Sequence, residues 1–583
     1  MINISKRQKL ELLRSQMEFE QSSFISHWRD LADMVAPRRA RFQIQDANKG
    51  NKVNRNIIDS TASVALRTLK SGMMSGITSP ARPWFRLTTP DPELADFPTV
   101  KEWLFVVAQR MSASFNRSNI YNTLPNAYGD IGQFATGAIL IEEDFDKVLH
   151  SYSLPIGSYR IANNEKLEVD TFLREFRMTV HQVVAKFGYD KDTGQINWDN
   201  ISTYVKNLWD LGNREIWVDI CHIIQPNENH DPEKIHSKFK KFESCYYERG
   251  TSSQTANYDF GSVDQNKYLS EKGYDYFPVL TPRWEVTGED VYGTNCPGME
   301  ALGDVRQLQL GEKRVAQAIE KMINPPMVGP TSLRNQKTTI LPGDITYSDD
   351  REGTKGFRPA HEVQVRIQEM EAKQQQLRER IDRAYFSDLF LMMSQSDRRE
   401  ITAREIDERR EEKLLALGPV LQQVDQDLLD PLIDIAFGFH VKQNRIPAPP
   451  KELQGMELRV EYISIMAQAQ KLIGLSSVER FSGFVGQMAQ FKPDALDKVN
   501  TDKLVDVYGE MTGIQPGIVM SDDEANQIRQ QRAQAQKAQQ VAENIPGAAS
   551  AARDLSQAQT GEGENALQKL IASANAGNLT QAV

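Results

Sequence analysis

Apolar positions along the chain change period twice, and the changes divide it into regions. From about Ser5 to Val35 they recur at helical spacing and stop before Pro37, which predicts an amphipathic helix. Asp59 or Ser60 can cap the next helix, which runs into "SGMMSGITSPARPWFRL". The Gly and Pro residues there break it, and Trp84 and Phe85 are placed to anchor the following segment in a core. Further helices are predicted near 100–115 and 124–134. Between Gly137 and Trp284 the period falls to two. "GAILIEED", "KVLHSYSL", "GSYRIA", "LEVDTFLREFRM", "EIWVDICHII", "KFESCYYE" and "YFPVLTPRWEV" carry the β-branched and aromatic alternation of strands, bounded by turn residues. Short helices near 180–187 and 200–211 interrupt them. The region reads as mixed, with a substantial antiparallel β component.

After "GEDVYGTNCPG" the pattern is strongly helical. Met299 to Ile323 reads as one helix ended by "NPP", with Leu308, Val315, Ile319 and Met322 on one stripe and Glu312 in the remaining heptad position. A Gly- and Pro-rich excursion follows, with two short strands predicted at 338–341 and 344–348. His361 to Tyr385 reads as a second long helix. Val363, Ile367, Met370, Leu377, Ile381 and Ala384 form a heptad seam with Gln374 in its gap. At 1.5 Å per residue each helix is roughly 35–40 Å long. Two rods with one narrow apolar stripe each cannot bury themselves as an isolated hairpin, so the stripes need neighbours.

"SDLFLMMSQSDRRE" reads as a loop leading to "ITAREIDERREEKLLALGP". There Thr402 and Glu405 fit a capping box, Ile401 and Ile406 a hydrophobic staple, and Glu405 and Arg409 an i,i+4 pair, so a helix starts at Thr402. Beyond Leu417, Gly418–Pro419 and Asp430–Pro431 permit kinks, while Leu421, Val424, Leu428, Leu432, Ile435 and Phe439 keep one apolar face. "NRIPAPPKEL" is a proline-stiffened connector. Residues 458–543 read as helical, and 544–583 as small-residue, low-complexity sequence.

Length and charge narrow the function. The 583 residues allow several domains, and the 40% hydrophobic and 25% charged content is that of ordinary soluble protein. A net charge of −10 argues against a static grip on nucleic acid, so any DNA contact must be local or weak. The basic run "PRRARF" is either a solvated loop or a local phosphate or partner contact. Cys221, Cys245 and Cys296 are scattered, giving no disulfide framework and suiting a reducing compartment. The N-terminus lacks a signal-peptide core, and no apolar run approaches the roughly 20 residues that span a bilayer. No nucleotide-binding G-x-x-x-x-G-K-[ST] occurs. "HEVQVR" at His361 lacks the second His of a zinc protease helix. Cys221, His222, His230 and His236 match no zinc spacing, Glu142–Asp144 is a carboxylate cluster at a strand end, and "GDIGQFATG" follows no strand of a βαβ unit. The sequence supports no catalysis, metal or cofactor.

The ordered set "SGMMSGITSPARPWFRL", "FATGAILIEED", "PIGSY", "FLREFRMTVHQVVAKFG", "PRWEVTGEDVYG", "INPPMV", "ITAREIDERREEKLLALGPVLQQVDQDLLDPLIDIAF" and "PAPPKELQGMELRVEYIS" resembles the portal, or head-to-tail connector, proteins of short-tailed bacteriophages over residues 5–520. "ITAREI" departs from that pattern, where a second Thr is expected near Arg404, and the C-terminal tail matches least. The resemblance implies an α+β portal-type protomer that closes into a ring of twelve at a capsid vertex of the virion, after assembly in the host cytoplasm. In that arrangement 1–290 is the wing, 291–323 and 361–386 the two stem helices, and 324–360 the clip. Residues 387–400 are the tunnel loop, 401–457 a wing helix and connector, 458–543 a helical crown, and 544–583 a tail.

The same resemblance implies packaging, retention and ejection of weakly bound double-stranded DNA. Partners would be the terminase large subunit, the major capsid protein and scaffold, the tail adaptor or nozzle, and internal core proteins. Ser394, Gln395, Arg398 and Arg399 would face DNA, with Asp397 and Glu400 limiting the grip. Arg334, Lys337, Arg351 and Lys355 would meet motor or adaptor, and Val363, Ile367, Met370, Leu377 and Ile381 would pack the stem. The alternatives are a tail or adaptor protein without a DNA channel and, more remotely, a nuclease using the acids near Glu142.

Overall fold

The computed structural model describes residues 5–44, 52–91, 97–190, 194–234, 236–250, 267–323, 327–328, 358–359, 367–395, 417–453, 459–462, 481–488, 491, 499–512, 525, 527–536, 559–560 and 564–565. The chain divides into two compact units, Met1–Gln470 and Lys471–Val583.

In the first unit, helix α1 (Lys6–Met34) starts at a capping box: Ser5 Oγ accepts the Gln8 N–H, and Gln8 Oε1 accepts the Ser5 N–H at 3.0 Å. Its apolar stripe crosses a sheet. Leu10 and Met17 pack on Leu173, Cys221, Ile223, Cys245 and Tyr247, while Trp28 and Leu31 enter a second cluster with Phe134, Tyr159, Phe172 and Tyr292. The sheet is an antiparallel meander of β4 (Tyr159–Asn163), β5 (Val169–Thr179), β6 (Trp217–Pro226), β7 (Phe242–Gly250) and β8 (Ser270–Tyr274), each strand beside its sequence neighbour. Pairings such as Phe172↔Ile224 and Ile223↔Cys245 set the register. The period-two pattern predicts these strands because alternate residues serve different faces. A smaller antiparallel sheet has the order β3 (Val148–Ser153), β2 (Ile139–Asp144), β9 (Val279–Leu280). The short helices α5 (Val180–Val183) and α6 (Thr203–Asp210) share a small core with Ile201 and Ile220.

The largest core is helical. It joins α2 (Thr61–Ile77), β1 (Phe85–Thr88), α3 (Pro98–Arg117), α4 (Ile120–Phe134), parts of α7 (Pro297–Ile323) and α8 (Ile367–Ala384), α9 (Ser387–Gln395), and α10 (Asp430–Lys442) with the turns before it. Trp84 and Phe85 are buried in it, as predicted. The six residues of the predicted face, Leu421, Val424, Leu428, Leu432, Ile435 and Phe439, are all buried too. Helix runs through residues 417–442 with a π turn at Asp425–Leu429, where the Asp430 N–H reaches the Asp425 carbonyl just before Pro431, which has no N–H.

Two expectations are corrected. "SDLFLMMSQ" is helix α9 rather than loop, because Leu389 and Phe390 are buried on α2 and order the segment. Residues 459–462, expected to be helical, follow the short paired strands β10 (Met327–Val328) and β11 (Arg358–Pro359) and form strand β12 (Arg459–Tyr462), which pairs antiparallel with β1 as Phe85↔Tyr462 and Thr88↔Arg459. Alternation of Arg459, Val460, Glu461 and Tyr462 suits a strand, and an open edge on β1 was there to be filled. The predicted cap at Thr402 and strands at 338–341 and 344–348 lie outside the described residues. In the second unit, residues 481–488 and 527–536 and α11 (Thr501–Thr512) are helical, and Gln559–Thr560 pairs with Glu564–Asn565. No helix of the described residues is long and apolar enough to cross a membrane.

Candidate functional site

The feature least explained by the chain's own core is the pair α7 and α8. Their base is held tightly. Val305 and Leu308 on α7 and Leu377 and Ile381 on α8 are buried in the helical core, and the Tyr385 hydroxyl donates to Gln133 Oε1 at 2.7 Å. The segment before α2 is bound to the same base. Gln309 Oε1 accepts the Ile58 and Asp59 N–H groups at 2.7 and 2.9 Å, and its Nε2 donates to the Asp59 carbonyl. Arg378 Nε donates to Asp59 Oδ2 at 3.0 Å and its Nη2 to Glu312 Oε1 at 2.6 Å; Arg380 pairs with Asp304. Burial pushes the Asp59 carboxyl up, but hydrogen bonds from Thr61 and the Arg378 guanidinium outweigh it, so it titrates below the usual value.

Towards the far end of α7 the burial fails. Val315 is still buried, whereas Ile319, Met322 and Ile323 are 38%, 46% and 79% exposed. All three continue the face that carries Leu308 and Val315. Sequence predicted the stripe, and the structure divides it into a base inside the chain's own core and an end without cover.

α9 sits where the DNA-facing loop was expected. A Cβ on Gly72 would fall 2.1 Å from Phe390 Cδ1, so the glycine in α2 is the notch that seats α9. α2 runs through "SGMMSG" to Ile77 and ends within the Gly- and Pro-bearing stretch expected to break it. Ser394 and Gln395 end α9, and Arg398 and Arg399 lie outside the described residues, as do Arg334, Lys337, Arg351, Lys355 and Val363. Of the tip, Met327–Val328 pairs antiparallel with Arg358–Pro359, which closes its neck. Ile367 opens α8, and Met370 is half-buried. The ties through Gln309, Asp59 and Arg378 were not read from sequence, since their partners are more than 60 residues apart.

Among the described residues, those weighed for chemistry are not brought together as a catalytic or metal set. Cys221 packs under α1, and His222 points to the opposite face. Arg174 Nε donates to His222 Nδ1 at 3.2 Å, leaving Nε2 to meet Ser244 Oγ at 2.9 Å. Burial, with Arg174 and Lys186 adding to it, holds His222 well below its ordinary pKa, hence neutral. His230 and His236 are exposed elsewhere. Glu142 faces Arg174 and Lys186 at 3.9 and 3.8 Å, Glu143 pairs with Lys442, and Asp144 caps its own turn. Arg39 of "PRRARF" is half-buried and turns inward: its Nε donates to the buried Asp130 Oδ1 at 2.9 Å and its Nη2 to Ser153 Oγ at 3.0 Å.

An antiparallel mixed body thus carries a long helix pair, α7 and α8, with apolar residues exposed at the far end of α7. The chain belongs to the bacteriophage head-to-tail connecting protein family, whose description "Bacteriophage head to tail connecting protein" matches residues 7–519. It is 46% identical over 561 residues to "Portal protein" of Salmonella phage epsilon15, a match covering 96% of this chain and 97% of that one. It is 42% identical over 560 residues to "Probable portal protein" of Bordetella phage BPP-1, again covering 96% and 97%.

Proposed function

We propose that the chain is a portal subunit: identical copies, twelve to a ring, close around a bore at one capsid vertex through which double-stranded DNA is packaged, retained and ejected. The observation that carries this is the exposed end of the α7 stripe. Ile319, Met322 and Ile323 continue a face whose other half is core, and in a ring of head-to-tail contacts each copy supplies the cover its neighbour lacks. The helix pair is then the stem. Residues 324–360 form the clip, where Arg334, Lys337, Arg351 and Lys355 meet the terminase large subunit or the tail adaptor, and 1–290 form the wing. Residues 458–543 build the crown. Capsid, scaffold and internal core proteins are the other partners, and the role is structural rather than enzymatic. A net charge of −10 suits a bore that lets DNA slide, since each firm phosphate contact is a barrier to movement. Ser394, Gln395, Arg398 and Arg399 provide the transient contacts.

Negative-stain images of the purified protein test the ring, and a central hole is expected. Discs without a hole, or monomers at high concentration, would instead favour an adaptor without a channel. Particles carrying Arg398→Ala with Arg399→Ala should package or retain less DNA than the parent. Full, stable genomes in them would remove those two residues from the mechanism.

A further inference from the structure

Residues 481–488 of the second unit form a helix that its own sequence does little to stabilise. "FSGFVGQMAQF", from Phe481 to Phe491, contains no charged residue, and Gly483 and Gly486 lie in its interior. Each such glycine costs about 1 kcal/mol relative to Ala, and so short a helix is marginal without packing. Its own chain supplies one anchor, Val485, at 8% exposure. Phe481, Phe484, Met488 and Phe491, spaced 3, 4 and 3 apart, are 51%, 60%, 44% and 88% exposed. Counting roughly 200 Å² for each full side chain, this stripe leaves on the order of 500 Å² of apolar surface in water. That is well over half of the ~800 Å² each partner contributes to a standard interface. On the other side of the helix, at about 100° per residue, stands Gly486 with Gly483 beside it, and a Cβ at either would meet nothing within 4 Å among the described residues. No neighbour among the described residues requires glycine at these positions.

We infer that this helix is a two-faced seam between identical subunits: the aromatic stripe of one copy seats in the glycine notch of the next. Large side chains on one side and a bare backbone on the other are what a heterologous, ring-closing contact needs, whereas an isologous contact would pair one face with itself. The inference rests on the ring proposed above and locates one of its contacts.

The test places Phe484→Cys and Gly486→Cys in one chain and treats assembled protein with a short bis-maleimide. The native cysteines Cys221, Cys245 and Cys296 are buried and give little background. The double variant should yield a ladder of covalent oligomers, and each single variant only monomers. Rings in the images without a ladder would overturn the seam and leave the portal reading intact, and dimers from a single variant would overturn its head-to-tail sense. Absence of rings in the parent would sink both. Hydrogen exchange on the unsubstituted protein covers the case of variants that do not fold. Amides of residues 481–488 should exchange at least tenfold more slowly in rings than in diluted monomers, and equal rates would refute the contact.

Discussion

Arg39 sits in a basic run that sequence alone leaves open between solvated loop and phosphate contact, and its environment decides otherwise. Asp130 is 2% exposed, and the Arg39 guanidinium bonds both its oxygens. Burial raises the Asp130 pKa, and Arg39 offsets part of the rise. Arg39→Ala leaves that carboxyl buried without its counter-charge, which should cost about 3–5 kcal/mol in denaturant unfolding. The deficit should shrink as pH is lowered and Asp130 takes up a proton, and a variant as stable as the parent at pH 7 would count against the pair. Asp425 on the π turn is a second case. Burial, then repulsion from Asp430, pushes its pKa to about 7. Since the folded value lies above the ordinary 3.8, the protonated form is the one folding favours. Its stabilising contribution is complete below about pH 4 and is lost as pH rises towards 7. Asp425→Asn should therefore gain stability over the parent progressively between pH 4 and 7, as read in paired thermal melts; a pH-independent difference would contradict the assignment.

Among the elements, those with a strong period of their own were legible. The stripe of α1, the alternation of β5 to β7 and the buried face from Leu421 to Phe439 are each written in consecutive residues, because each element must turn one face to a core. α9 and β12 were not. Nine residues of "SDLFLMMSQ" show no clear period, and their helix depends on the Gly72 notch more than 300 positions earlier. β12 depends on the free edge of β1. The α7 stripe was legible as a stripe, but its division into covered and uncovered halves was not. That division gives a prediction: Ile319→Asp with Met322→Asp should lower monomer stability by no more than about 2 kcal/mol, the cost of two carboxylates near a helix C-terminus at partly exposed sites. The same pair should raise the concentration needed for ring assembly at least tenfold, measured by sedimentation. Unchanged assembly would remove this end of α7 from the interface, and Leu308→Asp, in the core, serves as the unfolding control.

For the whole molecule, the apolar stripes exposed on α7 and on the helix at 481–488 would gain their cover from neighbouring copies in the proposed ring, and a net charge of −10 would keep that ring loose towards DNA. Family membership was within reach of the sequence because it lies in the order of many short stretches, each a local demand for a turn, a cap or a buried face. The antiparallel strands, the long helices, the apolar seams and the lack of a nucleotide loop were determined in the same way. Only the tertiary structure decided that Arg39 turns inward, that α2 passes through its glycines to receive α9, that β12 closes β1, and which part of the α7 stripe stays bare. Those outcomes rest on contacts between residues far apart in the chain, and a local pattern records that a face must be buried without recording what will bury it.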